Sequence, residues 1–190
     1  MKLLMLDLDT VRKPKSDSKF IGHPQDQQII EGADRAIAHY HREGYIIVGI
    51  SNQGGVAAGH KSFSDCFLEQ RYALNLFPQM SEICFCPDFE GVECWVVNQV
   101  SPIPISVSSF GYEGADFRKP GIGMLQFALW QYDVAPIDSL YIGDCQVDAD
   151  FANAAGVIFF WADAWRDRWV NSKPIHSGRT AITEGMNQPY

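Results

Sequence analysis

The sequence predicts an α/β fold: a three-layer, doubly wound (Rossmann-like) and mostly parallel sheet. Two observations predict it. Apolar runs of strand length recur at residues 3–6, 45–50, 83–86, 140–142 and 157–161. They are continuous rather than alternating, as expected of strands buried on both faces. Between them lie stretches with helical spacing, and strands alternating with helices build parallel sheets.

Residues 3–6 form the first strand and run directly into Asp7 and Asp9. Ala33, Ala36, Ile37 and Tyr40 follow the i, i+3, i+4, i+7 spacing of a helix, and Gly44 is its stop. Residues 45–50 are the second strand, followed by the turn Ser51-Asn52-Gln53-Gly54-Gly55. A helix is expected over 63–76 and a strand over 83–86. Met124, Leu125, Ala128 and Leu129 repeat the apolar helical face. A strand at 140–142 leads into Gly143-Asp144, a short helix covers 147–155 and stops at Gly156, and 157–161 is the last strand. Two segments break the alternation. Residues 11–28 are polar, and 87–117 are mixed, with Pro102 and Pro104. Both read as inserts or lids on a single domain over 1–170, with a polar tail over 171–190. Trp161, Trp165 and Trp169 form an i, i+4 stripe that reads as core.

The chain has 190 residues, 46% hydrophobic and 20% charged, enough for one ordinary domain with a sizeable core. A net charge of -8 gives nucleic acid no long-range electrostatic help. The apolar stretch before Asp7 is too short for a signal peptide, and no run approaches the ~20 residues that span a bilayer. Five cysteines without a secretory signal are expected to be reduced thiols. A cytoplasmic protein with no membrane partner is expected; no oligomeric state can be read. The five histidines show no metal spacing.

In an open parallel sheet, ligands bind beyond the carboxyl ends of the strands. Those ends carry Asp7 and Asp9, Ser51 and Asn52, and Asp144 followed by Asp148, while Arg118-Lys119-Pro120 precedes the helix at Met124. Each element has a plain reading alone: a turn, a loop, a surface lysine, a helix cap. Because side chains alternate along a strand, Asp7 and Asp9 are expected to point to one side and Leu8 away.

Together and in this order, these residues resemble the four motifs of the haloacid dehalogenase superfamily of phosphohydrolases. Asp7-Leu8-Asp9-Thr10-Val11 matches the first motif, Ser51 the second, Lys119 the third, and Asp144 with Asp148 the fourth. The resemblance covers residues 3–162 and points to small-capped members such as histidinol-phosphate and heptose bisphosphate phosphatases and polynucleotide 3′-phosphatases. Thr10 stands where Gly is frequent in such phosphatases. No insert is large enough for a full cap domain.

The resemblance implies a Mg²⁺-dependent phosphomonoesterase. Asp7 would be nucleophile and metal ligand. Asp9 would be general acid then base, and would bind metal through its carbonyl. Asp144 would be the third metal ligand. Ser51 and Asn52 would hold phosphate oxygens, Lys119 would offset negative charge, and Asp148 would orient Lys119 or a metal-bound water. Arg118 is a candidate for a substrate anion. The substrate would be a phosphorylated small molecule or a nucleic-acid 3′-phosphate end. Lys13, Lys15 and Lys19 favour the latter, and the net charge opposes it. Some relatives carry a zinc loop here. Cys86 and Cys94 match two of its four ligands, but Asp88 and Val96 stand at two others. A degenerate remnant is the preferred reading, with zinc the alternative and Cys84 a strand residue. The rival from another class is a catalytically idle binding or scaffold protein on the same fold.

Overall fold

The computed structural model describes residues 1–111 and 116–170. The expected tail at 171–190 lies outside the described residues. Strands β1 (Lys2–Asp7), β4 (Tyr45–Asn52), β5 (Glu82–Cys86), β8 (Ser139–Gly143) and β9 (Ile158–Trp161) run parallel. β6 (Trp95–Asn98) and β7 (Ile105–Ser106) add antiparallel to the β5 edge. The sheet order is β7-β6-β5-β4-β1-β8-β9, which puts β1 inside the sheet between β4 and β8. A separate antiparallel pair joins β2 (Arg12–Lys13) to β3 (Gln28–Ile29).

Side-chain alternation along the central strands feeds two cores. Leu3 and Met5 of β1 pack with Met124, Leu125, Phe127 and Ala128 of α3 (Gly123–Gln131) and with Phe151 of α4 (Gln146–Ala154). Leu4 and Leu6 pack on the opposite face with α1 (Ala33–Arg42), α2 (Phe63–Leu76) and Trp165 of α5 (Ala162–Val170). The result is three layers, α/β/α, with the apolar runs of β1, β4 and β5 buried on both sides. At the N-terminus of α2, the Ser62 hydroxyl accepts from the Asp65 N–H and caps the helix. Gly44, at φ 81°, adopts the left-handed conformation just past α1. Among the described residues, no helix is long and apolar enough to cross a membrane.

Three expectations need correction. The run 157–161 is not buried on both faces: β9 is the sheet edge and is largely solvent-facing. The tryptophan stripe divides between two elements. Trp161 ends β9 and is 48% exposed, whereas Trp165 on α5 is core. Within the 87–117 segment, Trp95–Asn98 and Ile105–Ser106 are not a lid, because β6 and β7 pair with the main sheet.

Candidate active site

The first motif begins where β1 stops. Asp7 is the last strand residue, and Leu8–Thr10 turns at once into a 3-10 helix, closed by the Thr10 hydroxyl donating to the Asp7 carbonyl at 2.6 Å. The expected strand alternation therefore does not relate Asp7 to Asp9, because a 3-10 turn carries three residues rather than two per repeat. The two carboxylates differ in depth. Asp7 is 7% exposed, while the Asp9 side chain is 64% exposed.

Lys119 joins the motifs. Its Nζ donates to Asp7 Oδ1 at 2.7 Å and to Asp148 Oδ1 at 2.8 Å, and lies 3.2 Å from the Tyr141 hydroxyl. Tyr141 in turn donates to Asp148 Oδ1 at 3.0 Å. All four side chains are buried. Gly143 makes this approach possible, since a Cβ there would lie 2.2 Å from the Asp148 Cβ. Asp148 also accepts from the Asp144 N–H at 3.2 Å, so α4 is docked against the end of β8 by its own carboxylate.

Burial raises the Asp7 carboxyl to about 7, against the lowering influence of the Lys119 charge. Burial alone would favour neutral Lys119, but Asp7 and the other oxygens around it hold the ammonium well above its usual range. Asp148 is lowered, because Lys119 and three hydrogen bonds outweigh its desolvation. Asp144 is raised, by partial burial and by the Asp148 charge.

Ser51 is the penultimate residue of β4 and is 1% exposed; its Oγ accepts from Gln53 Nε2 at 2.8 Å. Asn52 clasps the third motif. Its Nδ2 donates to the Lys119 carbonyl at 3.1 Å and its Oδ1 accepts from the Lys119 N–H at 3.0 Å. Arg118 donates to the Asp88 carbonyl at 3.2 Å and stacks on the Phe89 ring, 5.2 Å from its centroid. It also lies over the Ser51 turn, because a Cβ on Gly54 would be 3.2 Å from Arg118 Nη1. The structure thus brings Asp7, Lys119 and Asp148 into direct contact and ties Asn52 to Lys119. Asp9, Arg118 and Asp144 are not bonded to that cluster through their side chains.

For a metal, the donor set is hard oxygen with excess negative charge. Asp7, Asp144 and Asp148 face one ammonium, and no hydrogen bond occupies the Asp144 carboxylate among the described residues. That chemistry fits Mg²⁺. A different trio, Asp144, Cys145 and Asp148, places its ligand atoms within 4.8 Å of one another. Cys145 supplies soft sulfur and Asp148 is already engaged by Lys119, so this trio suits a hard cation less well. At the other cysteines, Asp88 closes the loop by hydrogen bonds. Its carboxylate accepts from Val92 N at 3.1 Å and Glu93 N at 2.8 Å, and Val96 is core. Burial pushes Cys86 up to about 12 and raises Cys84 and Cys94 well above the usual thiol range.

Sequence reasoning missed Tyr141, Gln53, Arg12 and Glu69. Tyr141 sits inside an apolar strand run and reads as core. Its available signal was that a buried Tyr hydroxyl needs a partner, and Asp148 is that partner.

The polynucleotide kinase 3 phosphatase family model matches residues 2–164. The chain is 29% identical over 143 residues to the D-glycero-D-manno-heptose-1,7-bisphosphate 7-phosphatase of Thermosynechococcus vestitus, covering 72% of this chain and 67% of that one. It is 27% identical over 150 residues to the D-glycero-beta-D-manno-heptose-1,7-bisphosphate 7-phosphatase of Haemophilus ducreyi, covering 74% and 72%. The structure of D,D-heptose 1,7-bisphosphate phosphatase from B. bronchiseptica, complexed with magnesium and phosphate, superposes with a TM-score of 0.61. It is 26% identical and is matched over 84% of this chain and 79% of that one. The chain belongs to the polynucleotide kinase 3 phosphatase family, within the haloacid dehalogenase-like phosphohydrolases.

Proposed function

We propose that the chain is a Mg²⁺-dependent phosphomonoesterase that works through an aspartyl-phosphate on Asp7. The observation that carries this reading is Lys119, bonded at once to Asp7 at the end of β1 and to Asp148 in the first turn of α4, just beyond the adjacent parallel strand β8. A structural role does not call for two buried acids on one lysine beside a third acid, Asp144, whose carboxylate has no hydrogen-bond partner among the described residues.

The chemistry follows from these groups. Lys119 occupies one oxygen of Asp7, favours its ionised form against the effect of burial, and offsets charge on the phosphoryl group. Asp7 attacks phosphorus, the bond to the ester oxygen breaks, and Asp9, at the exposed rim, gives that oxygen a proton. Asp9 then takes a proton from water as the water attacks phosphorus, and the bond to Asp7 breaks, releasing phosphate. Ser51 and the Asn52 N–H hold phosphoryl oxygens, and Asp148 with Tyr141 fixes Lys119. Asp7, Asp144 and the Asp9 carbonyl would hold Mg²⁺, which when bound neutralises phosphate charge.

Two substrate classes are supported. The named relatives act on a phosphorylated sugar, and the family description names a polynucleotide 3′-phosphatase. Turnover of p-nitrophenyl phosphate with and without Mg²⁺, in wild type and Asp7→Asn, tests the chemistry. Activity that needs Mg²⁺ and disappears in the variant is expected. Inactive wild type, or activity retained in Asp7→Asn, would return the chain to the idle scaffold. A panel of sugar phosphates and a 3′-phosphorylated oligonucleotide then separates the two classes.

A further inference from the structure

Beside the catalytic cluster lies a second buried ionic group that the mechanism above does not use. Glu69 on α2 is 3% exposed, and buried carboxylates are normally paired. It is paired twice. Oε1 accepts from Arg12 Nη2 at 3.0 Å, and Oε2 accepts from Lys61 Nζ. Each cation then reaches toward the site. Lys61 donates to Gln53 Oε1 at 3.3 Å, and Gln53 Nε2 donates to Ser51 Oγ at 2.8 Å. With a lone pair so occupied, the Ser51 proton is directed away from Gln53, free to meet a phosphoryl oxygen.

The other arm ends at Asp9. Arg12 is wholly buried, and its Nη atoms are held by Gln27, Glu69 and Gln70. Its Nε has no hydrogen-bond partner and lies 3.8 Å from Asp9 Oδ1. A buried N–H left unsatisfied costs about 1 to 3 kcal/mol. Closing that gap satisfies it and fixes one oxygen of Asp9, leaving the other to face the leaving group.

We propose that Glu69 is a positioning residue: through Arg12 it sets Asp9, and through Lys61 and Gln53 it sets Ser51. This rests on the phosphatase reading. It goes further by assigning one remote carboxylate to both proton transfer and phosphate binding. The two arms make separable predictions, because an acid matters most for a poor leaving group.

The test is steady-state kinetics with Mg²⁺ on p-nitrophenyl phosphate and on glycerol 2-phosphate, for wild type, Glu69→Gln, Arg12→Lys and Gln53→Met. Loss of a positioned general acid is expected to lower kcat on the alkyl ester by about 10- to 100-fold in Glu69→Gln and Arg12→Lys, and far less on the aryl ester. Gln53→Met is expected to raise KM for both esters alike. Adding Arg12→Lys to Glu69→Gln should cost nothing more, since the two act as one unit. Equal losses on both esters, tracking only a fall in Tm, would reduce Glu69 to a structural residue and overturn the proposal. If Glu69→Gln does not fold, Arg12→Lys and Gln53→Met decide it by the same two signatures. Wild type inactive on both esters would overturn the phosphatase reading itself, and the proposal with it.

Discussion

The two buried ionic groups differ in one respect: the sign of the charge left over. Around Lys119, two bonded carboxylates share one ammonium, with Asp144 nearby. Around Glu69, two cations share one buried carboxylate, and Arg12 also lies 3.8 Å from the exposed Asp9. The first leaves negative charge at the strand ends, where it suits a cation. The second holds one more cation than buried carboxylates, with Lys61 beside the Ser51 turn, where it suits a dianion. Burying unbalanced charge is costly, and neither group is needed to fill the core, which Leu, Ile and Phe fill on both faces. The imbalance is what separates these groups from ordinary buried salt bridges.

Removing the single cation of the first group should break the comparison most. Lys119→Met leaves Asp7 and Asp148 buried without an ammonium. The expected loss is about 3 to 5 kcal/mol at neutral pH, with turnover falling about 100- to 1000-fold. Urea unfolding and kcat on p-nitrophenyl phosphate measure both. A variant within 1 kcal/mol of wild type, by the same scale, would show that the acids do not depend on this lysine.

Tyr141→Phe keeps the charges and removes only the hydroxyl between Lys119 and Asp148. A loss of about 1 to 2 kcal/mol is expected, with Mg²⁺ still required. Unchanged stability would place the hydroxyl outside the working network.

Lys61→Met should do less. Glu69 keeps Arg12, and the Lys61 side chain is 20% exposed, so about 1 kcal/mol or less is expected in unfolding. A loss as large as that of Lys119→Met would make the two groups equivalent and sink the contrast drawn between them.

Glu82 sharpens the comparison from a third side. It is 3% exposed and has no ion-pair partner among the described residues; Gln131 Nε2 donates to its oxygens at 3.0 and 2.8 Å. Burial raises its pKa above the ordinary 4.5. In the unfolded chain it ionises near that ordinary value, while the folded chain keeps the proton to higher pH. Its stabilising contribution is therefore complete below about pH 4.5 and is lost as pH rises through the folded value. Glu82→Gln carries no such proton. Its Tm relative to wild type is expected to rise as the pH climbs above about 4.5. A difference independent of pH would show that Glu82 does not titrate in this way.

Much of this was legible in the sequence where the code is local. The parallel strands β1, β4, β5 and β8 were visible as continuous apolar runs, because a strand covered on both faces has no polar positions to spare. The helix expected over 63–76 is α2, with the same bounds. α5 was not read, because its apolar positions are few and its start is continuous with the apolar edge strand β9. The step from Asp7 to Asp9 was misread for a related reason. An apolar run shows that a strand exists but not the residue at which it gives way to a 3-10 turn.

By itself, the sequence determined the sheet, its two helical layers and the roster of acids, hydroxyl and lysine at the strand ends. These follow from residue type and near-neighbour spacing. Only the tertiary structure decided how deep each acid lies, that Tyr141 completes the Lys119 cluster, and that Arg12 meets Glu69 across 57 residues of chain. The reason is physical. Ionic partners are chosen by which elements pack together and how much water they exclude, and neither is written in the spacing of residues along the chain.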